Sequence, residues 1–148
     1  MWRLRATKYG MKGSLNPKIL IAAALIDDGA GRVLLVRKNG TEHFMQAGGK
    51  IEPDERPLCA LRRELTEEIG LRVRGDEPRY LGRFSAPAAN EPGYTVIAEL
   101  FHIRITHTPV ISVEIAEARW VTLNGAIDLP LAPLTRTYVL PLAATLLT

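Results

Sequence analysis

Three carboxylates, Glu64, Glu67 and Glu68, fall within five consecutive residues, and the segment carrying them, Pro57 to Ile69, reads as a helix. Pro57 suits the first turn, where no N–H partner is required, and Gly70 suits a left-handed cap just past the end. At about 100° per residue, Leu58, Leu61, Leu65 and Ile69 share an arc of roughly 80°, a core-facing stripe. Glu67 and Glu68 flank Glu64 beside that stripe, with Ala60 as the small residue of the patch. Like charges at i,i+3 and i,i+4 each cost a helix about 0.2–0.5 kcal/mol. Glu67 and Glu68 also lie near the C-terminus, the wrong end of the helix dipole for negative charge. A solvated acidic face would be diluted by bases at matching spacings, yet only Arg63, four residues before Glu67, does this. The chemical reading is that three converging carboxylates suit a hard divalent cation such as Mg²⁺, which prefers oxygen ligands.

The approach to this helix points the same way. Gly48-Gly49 lets the backbone come close to a ligand, and Lys50 and Glu55 follow before the helix begins. A glycine-rich approach to a helix bearing a metal-binding patch is a place to hold a polyphosphate. Gly-Gly-Lys on its own also reads as a plain turn.

The elements that must position these groups are strands. Ile19 to Ile26 and Val33 to Val36 are apolar runs around a turn at Asp28 to Arg32, a hairpin of two buried strands. Polar residues 38–42, a short segment His43 to Gln46 and a loop Ala47 to Lys50 lead to the helix. Strands are expected at Arg79 to Phe84, Thr95 to Ile105 and Ala118 to Leu123, the last after an acidic turn Glu114 to Glu117. Leu134 to Leu147 reads as a closing helix, interrupted or bent by Pro141. Arg56, where Ser or Thr would cap, leaves the acidic helix weakly capped. Strands mixed with two helices define an α/β domain with a mixed β-sheet.

With 148 residues, 47% of them hydrophobic and 24% charged, the chain has the size and composition of one globular domain that needs no disulfide. The single cysteine, Cys59, excludes a Cys-based zinc site and an intrachain disulfide. No apolar run approaches the roughly 20 residues that span a bilayer. Of the net charge of +3, five basic residues and no acid lie in the first 18 positions, so the remaining 130 carry 14 basic against 16 acidic residues. The basicity belongs to an N-terminal arm, residues 1–17, rather than to a nucleic-acid surface on the domain, residues 18–148. Arm and first strand imitate a secretory signal, but the apolar run ends in Asp27-Asp28-Gly29 without a small-x-small pattern. A cytoplasmic protein is expected.

Gly49, five residues, Glu55, seven residues, then Arg63-Glu64-Leu65-Thr66-Glu67-Glu68-Ile69-Gly70-Leu71 fills every specified position of a 23-residue signature. On it the chain resembles the Nudix hydrolase family. The flanks, Leu34 to Lys38 and Glu114 to Val121, are similar to MutT-type members. The resemblance implies an α/β/α sandwich with a loop–helix–loop box. It also implies hydrolysis of a nucleoside diphosphate derivative by water attacking phosphorus, with Mg²⁺ or Mn²⁺. It assigns Glu64, Glu67, Glu68 and the Gly48 carbonyl to the metal, and Glu55 and Arg63 to orienting them. Gly49, Lys50 and Arg37 become candidate phosphate contacts.

Outside the box, Glu99 shares a strand face with Ile97, Phe101 and Ile103, where a carboxylate is costly unless it reaches a polar site or a basic partner. It is a candidate substrate contact or an edge residue paired with an arginine. Phe44 is read as core, Cys59 as a packed inert thiol, and Glu114 and Glu117 as a solvated turn. The MutT-like flanks favour a nucleoside triphosphate, oxidised or not, split to monophosphate and pyrophosphate. Pro87 is similar to a proline associated with ADP-ribose cleavage, which keeps nucleotide-sugar substrates open, and a non-catalytic nucleotide sensor is the alternative of another class. The expected partner is a small-molecule nucleotide, with neither nucleic acid nor membrane, and a homodimer is left open. Removing residues 1–16 is expected to leave turnover within about threefold, roughly 0.7 kcal/mol in barrier. A hundredfold loss in steady-state rate would put the arm in the site or in an essential dimer contact.

Overall fold

The computed structural model describes residues 17–147, so the basic arm, apart from Pro17, lies outside the described residues. The strand Lys18–Asp27 (β1) is the hub of the sheet. Its apolar run does not alternate with polar residues because both faces are covered. Ala22, Ala24 and Ile26 enter one core cluster, and Ala23 and Leu25 the other. Along its whole length β1 runs parallel to Thr95–Arg104 (β6), from Lys18↔Thr95 to Asp27↔Arg104. Its other edge is shared. Ala47–Lys50 (β4) pairs antiparallel with it from Ile21↔Lys50 to Ala24↔Ala47, and Arg32–Lys38 (β2) joins at Asp27↔Val33.

Phe44–Met45 (β3) and Ile115–Thr122 (β7) pair with β2, and Arg79–Pro87 (β5) pairs with β6, all antiparallel. The described residues thus form a mixed sheet of seven strands. Helix Pro57–Ile69 (α1) covers one face through Ala60, Leu61, Leu65 and Ile69. Its expected ends hold: Gly70 is left-handed at φ 64°, and Arg56 provides no side-chain cap. A short helix Leu123–Ala126 (α2), capped by the Thr122 hydroxyl, leads to the C-terminal helical segment on the opposite face. The architecture is the expected α/β/α sandwich.

Pro141 shapes that last segment without ending it. Lacking an N–H, it cannot bond the carbonyl four residues back. The preceding turn, Thr135–Val139, is π-helical, with the Leu140 N–H reaching the Thr135 carbonyl, and Leu140–Leu146 (α3) continues as α-helix.

Several expectations are corrected. Ala47 to Lys50 is a strand rather than a loop. Two glycines argue against strand by propensity, but here the sheet needs backbone without side chains. β5 runs on to Pro87, and β7 begins at Ile115, so Glu117 is a strand residue and Leu123 opens a helix. Cys59 is exposed rather than packed.

The β1–β2 hairpin is latched by a carboxylate at its base. Asp27, 0% exposed, accepts from the Gly29 N–H at 2.7 Å, His102 Nε2 at 2.5 Å and Arg104 Nε at 2.9 Å. Burial alone would raise this carboxyl, but the hydrogen bonds of His102, Gly29 and Arg104 outweigh it and hold it below its ordinary value. A depressed carboxylate stabilises the fold above its unfolded pKa, and that contribution is lost as pH falls through the lower folded value. Asp27→Ala is therefore expected to cost about 2 kcal/mol at pH 7. The deficit relative to the parent should shrink in thermal melts below about pH 4. An equal deficit at pH 7 and pH 3 would assign the loss to packing alone.

Candidate active site

The chemistry-bearing face of α1 is fastened to β4. At Gly49 a Cβ would overlap the Glu64 carboxylate, and at Gly48 (φ 150°) it would overlap the backbone of Ala22. Only glycine lets the carboxylate and strand approach this closely. One turn on, Glu68 Oε1 accepts the Gly48 N–H at 3.1 Å. The other oxygen of Glu68 lies 3.3 Å from Lys38 Nζ. Burial raises the Glu68 carboxyl above its usual range, with the Lys38 charge and the Gly48 N–H pulling it down and Glu64 adding to the rise.

Arg63 organises the remaining acids. Its Nε and Nη2 take Glu55 in a two-point grip at 2.9 and 2.8 Å, and Nη1 reaches Glu64 Oε2 at 2.8 Å. The same guanidinium donates to the Lys50 carbonyl at 3.0 Å and lies 3.5 Å from the exposed Glu67 carboxylate. The Arg63 hydrogen bonds, helped by the Glu52 N–H, bring the Glu55 carboxyl down to about 2. Glu55 in turn raises the guanidinium further above its usual value. Glu55, Arg63, Glu64 and the β4 backbone thus form one connected network.

Glu99 also faces the α1 side, in the cross-strand row Gly49–Ala22–Glu99–Arg83. Two strand spacings, about 10 Å, separate its backbone from Gly49. Its oxygens accept from Tyr80 Oη at 2.6 Å and Arg83 Nε at 2.8 Å. A register shift between Tyr80 and Gly82 makes this possible. Residues three apart on a regular strand point to opposite faces, and a bulge brings both to one.

Arg37 stands apart from this group. It donates to the Thr41 carbonyl at 3.0 Å, lies 3.5 Å from Glu117 and faces the ring of buried Phe44. Arg119 shares Glu117 and the same ring, 5.1 Å from its centroid. Lys38, one residue on, falls on the opposite face with Leu34 and Val36, and so reaches Glu68. The period of two along β2 was the signal available for it in the sequence. Tyr80 and Arg83 depend on a bulge that leaves no such signal.

Across the sheet from the acids lies a cavity of about 220 Å³, with Gln46, Thr135 and Val96 in its lining. The lining also includes Lys38, Gly48, Gly49 and Lys50, so the cavity meets the acidic network at β4.

No three acidic, His or Cys side chains among the described residues already converge as a metal cage. The donors nevertheless fit a hard cation. They are carboxylate oxygens, two of them pressed against the glycine backbone, and Lys38 already places positive charge on buried Glu68.

A strand-flanked loop–helix carrying this network is the Nudix arrangement, and residues 17–142 match the family model of the NUDIX domain. The chain belongs to the Nudix family and is a Nudix hydrolase. It is similar to a CTP pyrophosphohydrolase of Escherichia coli (strain K12), 29% identical over 121 residues covering 78% of this chain and 85% of that one. Among solved structures, the MutT protein from Methanosarcina mazei Go1 superposes with a TM-score of 0.71 at 25% identity, over 88% of this chain and 95% of that chain. The E. coli ORF135 protein gives 0.62 at 26% identity, over 88% and 89%. No helix among the described residues is long and apolar enough to cross a membrane.

The Glu68 carboxyl offers a test of the apo geometry. A raised carboxyl binds protons in the folded state that the unfolded chain has released, so its ionisation lowers stability as pH rises above the unfolded value. Glu68→Gln removes that charge and keeps an oxygen for the Gly48 N–H. In chelator, the variant is expected to melt at or above the parent at pH 8, with the advantage gone by about pH 4. A variant that melts well below the parent at pH 8 would make the Lys38–Glu68 pair a net structural tie.

Proposed function

We propose that this hydrolase splits a nucleoside triphosphate, oxidised or not, into monophosphate and pyrophosphate with Mg²⁺ or Mn²⁺. The observation that carries this is the junction at β4, where Glu64 and Glu68 press on Gly48–Gly49 beside a cavity that includes Lys38 and Lys50. The similarity to a CTP pyrophosphohydrolase supports a nucleotide substrate.

Glu64, Glu67, Glu68 and the Gly48 carbonyl would hold the cation. When bound, such an ion neutralises phosphate oxygens and makes water nucleophilic near neutral pH. The chain's own contribution is placement. Arg63, braced by Glu55, fixes the Glu64 rotamer against Gly49. Lys38 and Lys50 offer charge to the phosphates as they cross β4. Glu99, held by Tyr80 and Arg83, is a buried carboxylate on the same sheet face, and we assign it to the substrate side of the site. Arg37, engaged with Thr41 and Glu117, is left outside the phosphate set. The catalytic unit is residues 18–148, with residues 1–17 an appended arm. A reducing cytoplasm suits the free, exposed thiol of Cys59.

Hydrolysis should be measured with Mg²⁺, as pyrophosphate released from unmodified and oxidised triphosphates and as nucleotide products formed from ADP-ribose, dinucleoside polyphosphates and NADH. A triphosphate is expected to be the best substrate, chelator should abolish turnover, and the rate should rise toward alkaline pH, since the carboxylate ligands and the base that activates water must both be deprotonated. Glu68→Gln is expected to lose at least about 10³-fold in turnover, some 4 kcal/mol in the barrier. It should also lose most of the stabilisation the parent gains from Mg²⁺. Turnover indifferent to chelator would overturn the mechanism, and no turnover on any substrate would leave a nucleotide-binding module.

A further inference from the structure

The cavity contains one group that nothing among the described residues satisfies. Gln46 is 5% exposed and Thr135 is 0% exposed, and both line the cavity. The Thr135 hydroxyl donates to Gln46 Oε1 at 3.0 Å, which sets the orientation of the carboxamide. Gln46 Nε2 is buried and has no hydrogen-bond partner among the described residues. Buried donors are nearly always paired, and an unpaired one is costly until a ligand supplies the acceptor.

The surroundings define that ligand. Ile19, Ile21, Ala23, Val96 and Leu134 give apolar walls, which suit a flat heteroaromatic ring. Gln46 lies two residues before Gly48, so a ring against its amide leaves the attached phosphates close to the β4 glycines and the acids beyond. We propose that Gln46, oriented by Thr135, is the base-reading residue, and that it selects a nucleobase presenting a ring carbonyl. Cytosine, uracil, thymine and guanine carry such a carbonyl, and adenine has none. The inference rests on the triphosphate reading for the phosphate end only. Adenine's acceptors on its open edges, N1 and N7, each stand beside the N6 amino donor, so the Nε2 group would meet a donor as well as an acceptor. A site built to hydrogen-bond one group discriminates against a base that does not match it.

The orientation has a structural source. Thr135 opens the π-helical turn before Pro141, and its carbonyl is taken by the Leu140 N–H. Its hydroxyl faces Gln46 from this wide turn, the kind of irregularity that recurs at functional sites.

Two measurements test this independently of each other. The first is kcat/KM with Mg²⁺ on CTP, UTP, GTP and ATP, and the second is calorimetric binding of CMP and AMP to the metal-free full chain. The parent is expected to favour the best carbonyl-bearing nucleotide over its adenine counterpart by at least tenfold in both. In Gln46→Leu that ratio should fall to within threefold of unity through loss on the carbonyl base, with ATP changed less than threefold. Thr135→Val keeps Gln46 and frees its amide to turn, so the ratio should fall partway, and this variant decides the matter if Gln46→Leu does not fold. A parent that prefers adenine, or a ratio unmoved in a folded variant, overturns the assignment. Should the binding ratio collapse as expected while no triphosphate is hydrolysed, the base assignment stands and the hydrolytic reading falls. Mg²⁺-dependent turnover with an unmoved ratio means the reverse.

Discussion

Everything in this site depends on how closely an acidic helix can approach a strand. Glu64 lies where a Cβ of Gly49 would be, and Glu68 accepts the N–H of Gly48. Both contacts require β4 to have bare backbone on the side of α1. They also require α1 to be held in place by something besides its acids, whose mutual repulsion weakens the helix that carries them. The apolar stripe Leu61, Leu65 and Ile69 supplies that hold, each residue at most 1% exposed. Burial of such side chains stabilises by about 1.5–3 kcal/mol apiece, several times the like-charge cost of any pair on the same helix. The core therefore outweighs the electrostatic strain and keeps the carboxylates together.

The sheet divides the labour between its two faces. Even-numbered residues of β1 look toward α1 and the acids, and odd-numbered ones toward the cavity and the C-terminal segment. Ala22 sits between Gly49 and Glu99 on the first face, buried in the core against α1, while Ala23 belongs to the cavity wall on the second. β4 is the junction, since its glycines touch both the acidic network and the cavity. A ligand with an anionic end and a flat apolar end fits across that junction.

The acidic helix was legible because it is local. Its ends at Pro57 and Gly70, its stripe and its three acids all follow from the period of 3.6, and the hairpin from two apolar runs around a turn. The box roles of Glu55 and Arg63 came from the family resemblance, and the structure shows the ion pair they form. What the sequence hid was non-local. Glycines read as loop where a neighbouring strand and a carboxylate demanded bare backbone. Tyr80 joins Glu99 only through a bulge, and Gln46 meets Thr135 across 89 positions of chain. Arg37 and Lys38 are adjacent bases of opposite orientation, and the one not singled out reaches the acids. The strand period would have separated them had it been applied beyond Val36.

Lys38 shows how such a site holds together before any cation arrives. A buried carboxylate without a partner tends to take up a proton, and Glu68 is pushed in that direction by burial and by Glu64. The ammonium of Lys38 and the Gly48 N–H oppose this, keeping negative charge affordable at the position where it is needed. Lys38 is only part-buried, and its long stem lets the charge swing back to water at little cost. A permanent arginine fork would resist displacement, as Arg63 does with Glu55 in its two-point grip. The two bases therefore divide by geometry, with the fork building the frame and the point charge balancing buried Glu68 from a longer, less constrained stem.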